Sequence, residues 1–300
     1  MSTTTRPRLT EQERAARRER DREYAQQAVE QLRNTEGWER WLRTRALFRT
    51  YSLGNQLLIA MQHPSAERVA GFRSWLKLGY CVRKGETGIR IWAPCPPTRK
   101  QIETWQRNGS RPEERPRTFF KLAAVFAQDQ VQELPPPAQP VPIECPIRTI
   151  EGDDLADVLP RLIALAVEIG SRVSFAAIAG GARGFYEPAT KRIVIESHMS
   201  ANQQAATLCH ELAHALVRAE HENNDPDLAY ADEELIAESV AFTCVRSLGI
   251  EADAKSIPYM ASWAEQTDLK VLEQCAALID RLARRIENAL HAEQEETDSA

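Results

Sequence analysis

The chain has 300 residues, 43% of them hydrophobic, with a formal net charge of −5. That length suits two ordinary domains, the apolar fraction excludes wholesale disorder, and no run of 18 apolar residues offers a membrane span. Residues 1–130 carry 25 Lys+Arg against 14 Asp+Glu, whereas residues 131–300 carry 13 against 29, so the front half is built to meet an anion and the back half is not.

In chain order, the front half opens with a charged helical stretch from Thr10 to Leu32, followed by helices over Glu36–Arg49 and Leu53–Gln62, the last closed by His63-Pro64. Phe72–Leu78 reads as a further helical turn or two. Tyr80–Val82 and Ile89–Trp92 are β-prone, and Lys84–Gly88 between them has hairpin chemistry. Pro94–Pro116 is polar and proline-punctuated, expected as a mobile insertion, and Thr118–Phe126 reads as a returning strand. Gln132–Pro146 contains six prolines and favours an extended spacer.

The back half begins with an apolar-periodic helix, Leu155–Ile169, and a short strand at Val173–Phe175. A hairpin is expected over Gly184–Tyr186 and Arg192–Ile195. Helices follow over Asn202–Glu220, Asp232–Leu248 and Asp268–Ala292, with a shorter one near Ile257–Trp263. The reading is therefore α+β. It has a domain at 10–130, a Pro-rich linker at 131–147, a small antiparallel sheet with helices at 148–292, and a solvated tail at 293–300. Met1–Glu30 has no apolar core of a secretory signal, so the six scattered cysteines read as reduced packing thiols and a cytoplasmic location is expected.

His210-Glu211-Leu212-Ala213-His214 lies in a helical window free of Gly and Pro. Histidines at i and i+4 lie about 40° apart around a helix and about 6 Å along it, so both imidazoles can reach one ion. Glu211 borders the same face, where a general base belongs. Catalytic zinc takes three protein ligands. A metzincin extension is absent, because Val217 and Glu220 stand at its Gly and third His positions. His221 is about 10.5 Å too far along the helix. Glu234, on the next helix, is the better third ligand. Glu238, one turn on, could accept the free N–H of His210 or His214, with small Ala237 and Ala241 permitting close approach. Asp232-Glu233-Glu234 also suits a plain acidic helix start. His198 and His221 read as surface or supporting groups.

Arg40, Arg43, Arg45, Arg49, Arg73, Lys77, Arg83, Lys84 and Arg90 alternate with Trp41, Phe48, Tyr51, Phe72, Trp75, Tyr80 and Trp92. Cations along a phosphate backbone with flat rings for bases are what sequence-tolerant single-strand binding needs. The same residues also suit core stripes and solvated faces. Trp38 and Trp41 share one helical face, and Leu57, Leu58 and Met61 are core candidates.

Tyr51–Pro64 (YSLGNQLLIAMQHP), Gly71–Trp75 (GFRSW) and Gly79–Ile89 (GYCVRKGETGI) resemble the N-terminal domain of ArdC-type antirestriction proteins. FKLAAVFAQDQ, Phe120–Gln130, is similar to its closing strand. The resemblance implies a single-stranded-DNA-binding domain, with Arg49, Tyr51, Asn55, Arg73, Trp75, Lys77, Arg83, Lys84, Arg90 and Trp92 as candidate contacts. The back half is similar to the zincin-like metallopeptidase domain that accompanies it, and more distantly to ImmA/IrrE-type peptidases. That likeness places Glu234 on the ligand position and Glu238 behind it. Ile236 stands where a middle acid is common.

The reading that follows has one Zn²⁺ per chain on His210, His214 and Glu234, with Glu211 as general base in peptide hydrolysis. Tyr230 and Tyr259 are candidate oxyanion donors, and Arg192–Ile195 is a candidate edge strand for an extended substrate. The expected partners are single-stranded DNA and a protein substrate, with no membrane, in an antirestriction or mobile-element-protection role. Two alternatives stay open: a regulatory zinc endopeptidase cleaving a protein partner, and a non-catalytic DNA-binding protein whose zinc is structural.

Overall fold

The computed structural model describes residues 10–136, 138–142, 152–224, 230–249 and 267–291. The front half opens with α1 (Glu11–Glu30), started by a capping box in which Thr10 and Glu13 satisfy each other's backbone N–H groups. A 3₁₀ turn at Gln31–Arg33 leads to α2 (Thr35–Leu47), capped by the Asn34 side chain, and then to α3 (Leu53–Gln62). Short β1 (Val69–Ala70), α4 (Phe72–Lys77), β2 (Tyr80–Val82) and β3 (Ile89–Cys95) follow. After them come α5 (Arg99–Arg107), β4 (Phe119–Ala127) and β5 (Val131–Glu133).

Three sequence expectations for the front half are corrected. β2 and β3 do not form a hairpin. β3 pairs antiparallel with β4 over seven residues, from Ile89↔Val125 to Cys95↔Phe119, while β2 pairs with β5. The Lys84–Gly88 turn allows a hairpin, but the seven-residue ladder outweighs the three residues that β2 can offer. The Pro94–Pro116 insertion holds α5, because Thr98 and Gln101 make a second capping box and Trp105 Nε1 donates to Arg111 O at 2.7 Å. The expected linker at 131–147 begins as β5, and its described residues up to Val141 are bonded to the front half. Leu134 N donates to Gly79 O at 2.8 Å, Val141 N to Leu78 O at 2.9 Å, and Tyr80 Oη to Val141 O at 2.9 Å. Gly79 has φ +86°, and a Cβ there would meet Pro140 Cα at 2.7 Å.

The back half comprises α6 (Leu159–Glu168), β6 (Arg172–Ala176), β7 (Gly184–Glu187), β8 (Arg192–Glu196), α7 (Ala201–Asn224), α8 (Tyr230–Ser247) and α9 (Leu269–His291). The sheet order is β6-β8-β7, antiparallel at the hairpin and parallel at β6. β8 is thus the central strand, with Ile193, Val194 and Ile195 buried. The expectation that Arg192–Ile195 is an edge is corrected, since β6 covers its far side. The helix expected at Ile257–Trp263 and the tail at 293–300 lie outside the described residues. No described helix is long and apolar enough to cross a membrane.

One hydrophobic core joins the halves. It takes Leu32, Trp38, Trp41 and Leu58 from the front and Leu162, Leu212, Ile236 and Leu282 from the back. Trp38 and Trp41, both fully buried, meet edge to face with centroids 5.3 Å apart. Trp38 Nε1 donates to Ser239 Oγ on α8 at 3.2 Å. Arg45 on α2 is fully buried and spans to α9, where its Nε donates to Asp280 Oδ1 at 2.9 Å and its Nη1 pairs with Glu287. Gln56 Nε2 also donates to Asp280 Oδ1, at 3.1 Å.

Candidate functional site

α7 is long because its sequence is rich in Ala and Leu and unbroken by Gly or Pro. Its start is held by the turn before α6, where Asn202 Oδ1 accepts Leu155 N–H at 2.9 Å. Leu208, Cys209, Leu212, Ala213 and Leu216 have no exposure, which fixes the helix in rotation and turns His210, Glu211 and His214 toward α8 and β7. β7 can lie against this helix because residue 184 is glycine: a Cβ there would meet Thr207 Cγ2 at 2.7 Å. On α8, Ala237 is fully buried and Ala241 nearly so, and both are small enough for close helix packing.

The ligand atoms of His210, His214 and Glu234 all lie within 4.8 Å of one another. The two histidine Nε2 atoms are 3.1 Å apart, and Glu234 oxygens stand 3.8 Å from His210 Nε2 and 3.5 Å from His214 Nε2. His214 Nδ1 lies 3.1 Å from Glu233 Oε1. A carboxylate oxygen accepts, so Nδ1 is the donor in this contact and Nε2 is the nitrogen turned toward His210 and Glu234. Burial, and then His214, push the pKa of His210 down to about 4 against the pull of Glu234, which favours its neutral form. Two imidazole nitrogens and a carboxylate therefore converge on one point. That donor set fits a divalent cation of the zinc class.

Glu233 is the functional residue that the sequence reading missed. It is buried, and besides holding His214 it takes a 2.6 Å ion pair from Arg218 Nη2. The signal was present: His214 and Arg218 are one turn apart on α7 and point two donors at one carboxylate of α8. Glu238, expected to accept an imidazole N–H, stands 3.7 Å from His210 Nδ1, beyond hydrogen-bond length. Glu233 makes that hydrogen bond instead, to His214.

Glu211 is buried, and its carboxyl is pushed up to about 7 by burial first and then by the Glu234 and Glu238 carboxylates. The Tyr186 backbone N–H, on edge strand β7, donates to it and opposes the shift. Its proton can therefore move near neutral pH. His198 is surface-exposed and bonded to Glu196 at 2.8 Å. Cys209 and Cys244 are buried thiols, Cys209 pushed up to about 12 by burial, and neither offers a thiolate. The side chains of Tyr230 and His221, and all of Tyr259, lie outside the described residues.

The candidate nucleic-acid contacts divide. Arg73, Lys77 and Lys84 are exposed. Trp75 is fully buried, and its Nε1 donates to Phe126 O at 2.8 Å, so it is a core residue and not a base platform. Asn55 is buried and brackets Trp92, accepting its N–H at 2.7 Å and donating to its carbonyl at 2.9 Å. Tyr51 meets Phe48 edge to face, centroids 5.5 Å apart, and packs on the core. Arg45, Trp41, Phe48 and Tyr80 are buried too. Arg83 pairs with Glu86 at 2.8 Å, and Arg90 pairs with Asp21 at 3.0 Å while lying over Tyr24. Arg49 and Trp92 are half-buried.

Two histidines and a glutamate from neighbouring helices, gathered beside the edge of a small sheet, make the back half a candidate metal-binding domain of zincin-like architecture. Residues 166–284 match the family model described as zincin-like metallopeptidase, and residues 18–126 match that of the N-terminal domain of anti-restriction factor ArdC. The chain thus joins a domain that matches the ArdC N-terminal family to one that matches the zincin-like family. It is 28% identical over 239 residues to the uncharacterized protein y4eC of Sinorhizobium fredii, covering 74% of this chain and 70% of that one. It is 23% identical over 281 residues to an uncharacterized Bacillus anthracis protein, covering 80% of this chain but 47% of the relative, so it spans about half that relative's length. The Mn(II)-bound crystal structure of antirestriction protein ArdC from the R388 plasmid shares the fold. Its TM-score is 0.50 at 23% identity, over 78% of this chain and 82% of that one.

Proposed function

We propose that this protein binds single-stranded DNA through its front half and carries a zinc-dependent peptidase centre in its back half, serving antirestriction or mobile-element protection in the cytoplasm. The observation that carries the reading is the convergence of His210, His214 and Glu234 with a buried Glu211 beside them. A structural zinc site closes all four positions with protein ligands. Here three donors converge, and the adjoining carboxylate is one that a purely structural site does not need.

His210, His214 and Glu234 would hold the cation, Zn²⁺, one per chain. Once bound, the cation supplies Lewis-acid polarisation of a carbonyl and lowers the pKa of water. Glu211 takes a proton from the attacking water and delivers it to the leaving amine, a role that its near-neutral carboxyl suits. Glu233 keeps His214 in the tautomer whose Nε2 is free. β7 is the sheet edge beside this group, so an extended peptide would pair there and not along β8. The peptide substrate is a protein partner of the chain.

Metal analysis of purified protein, combined with oligonucleotide titration at two salt concentrations, tests the reading. It expects about one zinc per chain and an affinity for single strands that falls steeply with salt. Protein that takes up no metal and binds no oligonucleotide would refute it.

A further inference from the structure

The first ten residues of α1, Glu11–Arg20, are all exposed, so this part of the helix buries no face of its own. A helix that is polar all round is held by its own side-chain ion pairs, here Arg14 and Arg18 with Glu11 at 3.3 and 3.8 Å and Arg22 with Glu19 at 3.2 Å. Its flank forms one wall of a groove of about 570 Å³, into which Arg14, Arg17, Arg18 and Arg22 project. Arg14 and Arg22 are eight residues apart, about 12 Å along the axis, so the cations form a row and not a cluster. The opposite wall is the outer end of the β3–β4 ladder. There Phe119 and Phe120 are 59% and 62% exposed, beside Lys121 and the half-buried Trp92. Asp21 is the acid lining the groove, engaged by Arg90 at 3.0 Å and Arg17 at 3.9 Å, and the other three arginines make exposed pairs with Glu11 and Glu19, which a phosphate in the groove would displace.

Adjacent, exposed phenylalanines at the end of a strand are costly in water unless a partner covers them. The two rings project to opposite faces of β4, and a row of arginines lining the same groove selects an anion with flat apolar parts. We infer that this groove is the track of a single-stranded nucleic acid, its phosphates on Arg14, Arg17, Arg18, Arg22 and Lys121 and its unstacked bases on Phe119, Phe120 and Trp92. The inference rests on the proposed DNA-binding function and gives it a place. That place is distinct from the α4 surface of Arg73 and Lys77. A duplex keeps its bases stacked away from the rings, so the track favours a single strand.

The test uses the full chain and a fluorescently labelled 20-nucleotide oligothymidylate, followed by anisotropy over a salt series. The F119A/F120A double variant removes two solvent-facing rings. It is expected to melt like the parent protein and to bind at least about tenfold more weakly. The R17Q/R18Q variant is expected to flatten the slope of log affinity against log salt by about 1.4, two single-strand phosphate contacts. A same-sequence duplex should bind more weakly than the single strand. If the parent binds but both groove variants bind within twofold of it, the groove is not the track. The same holds if the loss follows R73Q/K77Q instead, or if F119A/F120A alters only self-association. If the parent binds no oligonucleotide, the proposed function itself fails, and this site falls with it.

Discussion

Arg45→Met probes the join between the two halves. Arg45 is fully buried on α2 and faces two carboxylates of α9, Asp280 and Glu287. Asp280 keeps other partners after the change, Arg284 at 3.1 Å and Gln56 at 3.1 Å. Glu287 does not: its other carboxyl oxygen is buried without a hydrogen-bond partner among the described residues. The variant therefore strands one buried carboxylate, and breaking such a pair costs about 3–5 kcal/mol. R45M/E287M, which removes both charges and fills with apolar volume, should recover most of that loss.

The pH dependence carries a sign. Burial already raises the Glu287 carboxyl against the pull of Arg45, so the folded chain holds that proton more tightly than the unfolded one. Its contribution to stability is then present at low pH and lost as pH rises through the raised folded value. Removing Arg45 raises that value further, so the deficit of Arg45→Met should shrink on acidification. Urea unfolding of parent, single and double variants at two pH values measures this. A deficit under about 1 kcal/mol, or one that grows on acidification, would show that this network does not join the halves.

Glu211→Gln should leave metal content unchanged while abolishing any peptide hydrolysis; full activity in the variant would exclude a proton-transfer role. Glu234→Ala and Glu233→Ala should both weaken metal affinity, the second by about 10- to 100-fold because His214 loses the acceptor that sets its tautomer. A competition titration with a chromophoric chelator separates them, and an unchanged affinity in the Glu234 variant would remove it as a ligand. Trp75→Ala should cost about 3–5 kcal/mol of stability, as expected for a fully buried indole. A variant of unchanged melting temperature that had lost only oligonucleotide binding would contradict the core placement.

Much of this protein can be read locally, because local periodicity and capping act within a few residues. The α3 helix at Leu53–Gln62, the pairing of β7 with β8, the paired tryptophans of α2 and the imidazoles one turn apart on α7 all follow from spacing along the chain. What remained illegible depends on partners far apart in sequence. The turn at Lys84–Gly88 is compatible with a hairpin, yet β3 found a longer ladder in β4 across an inserted helix. Trp75 and Arg45 look like surface cation-and-ring pattern until packing buries them against Phe126 and α9. Glu233 and Glu234 are indistinguishable as letters, and the rotation of α8 against α7 sends one behind His214 and the other toward both Nε2 atoms. Residue types and their helical spacing were enough to nominate the chemistry. Only the docking of one helix on another decided which carboxylate does what, because a difference of one residue turns a side chain about 100° around the axis.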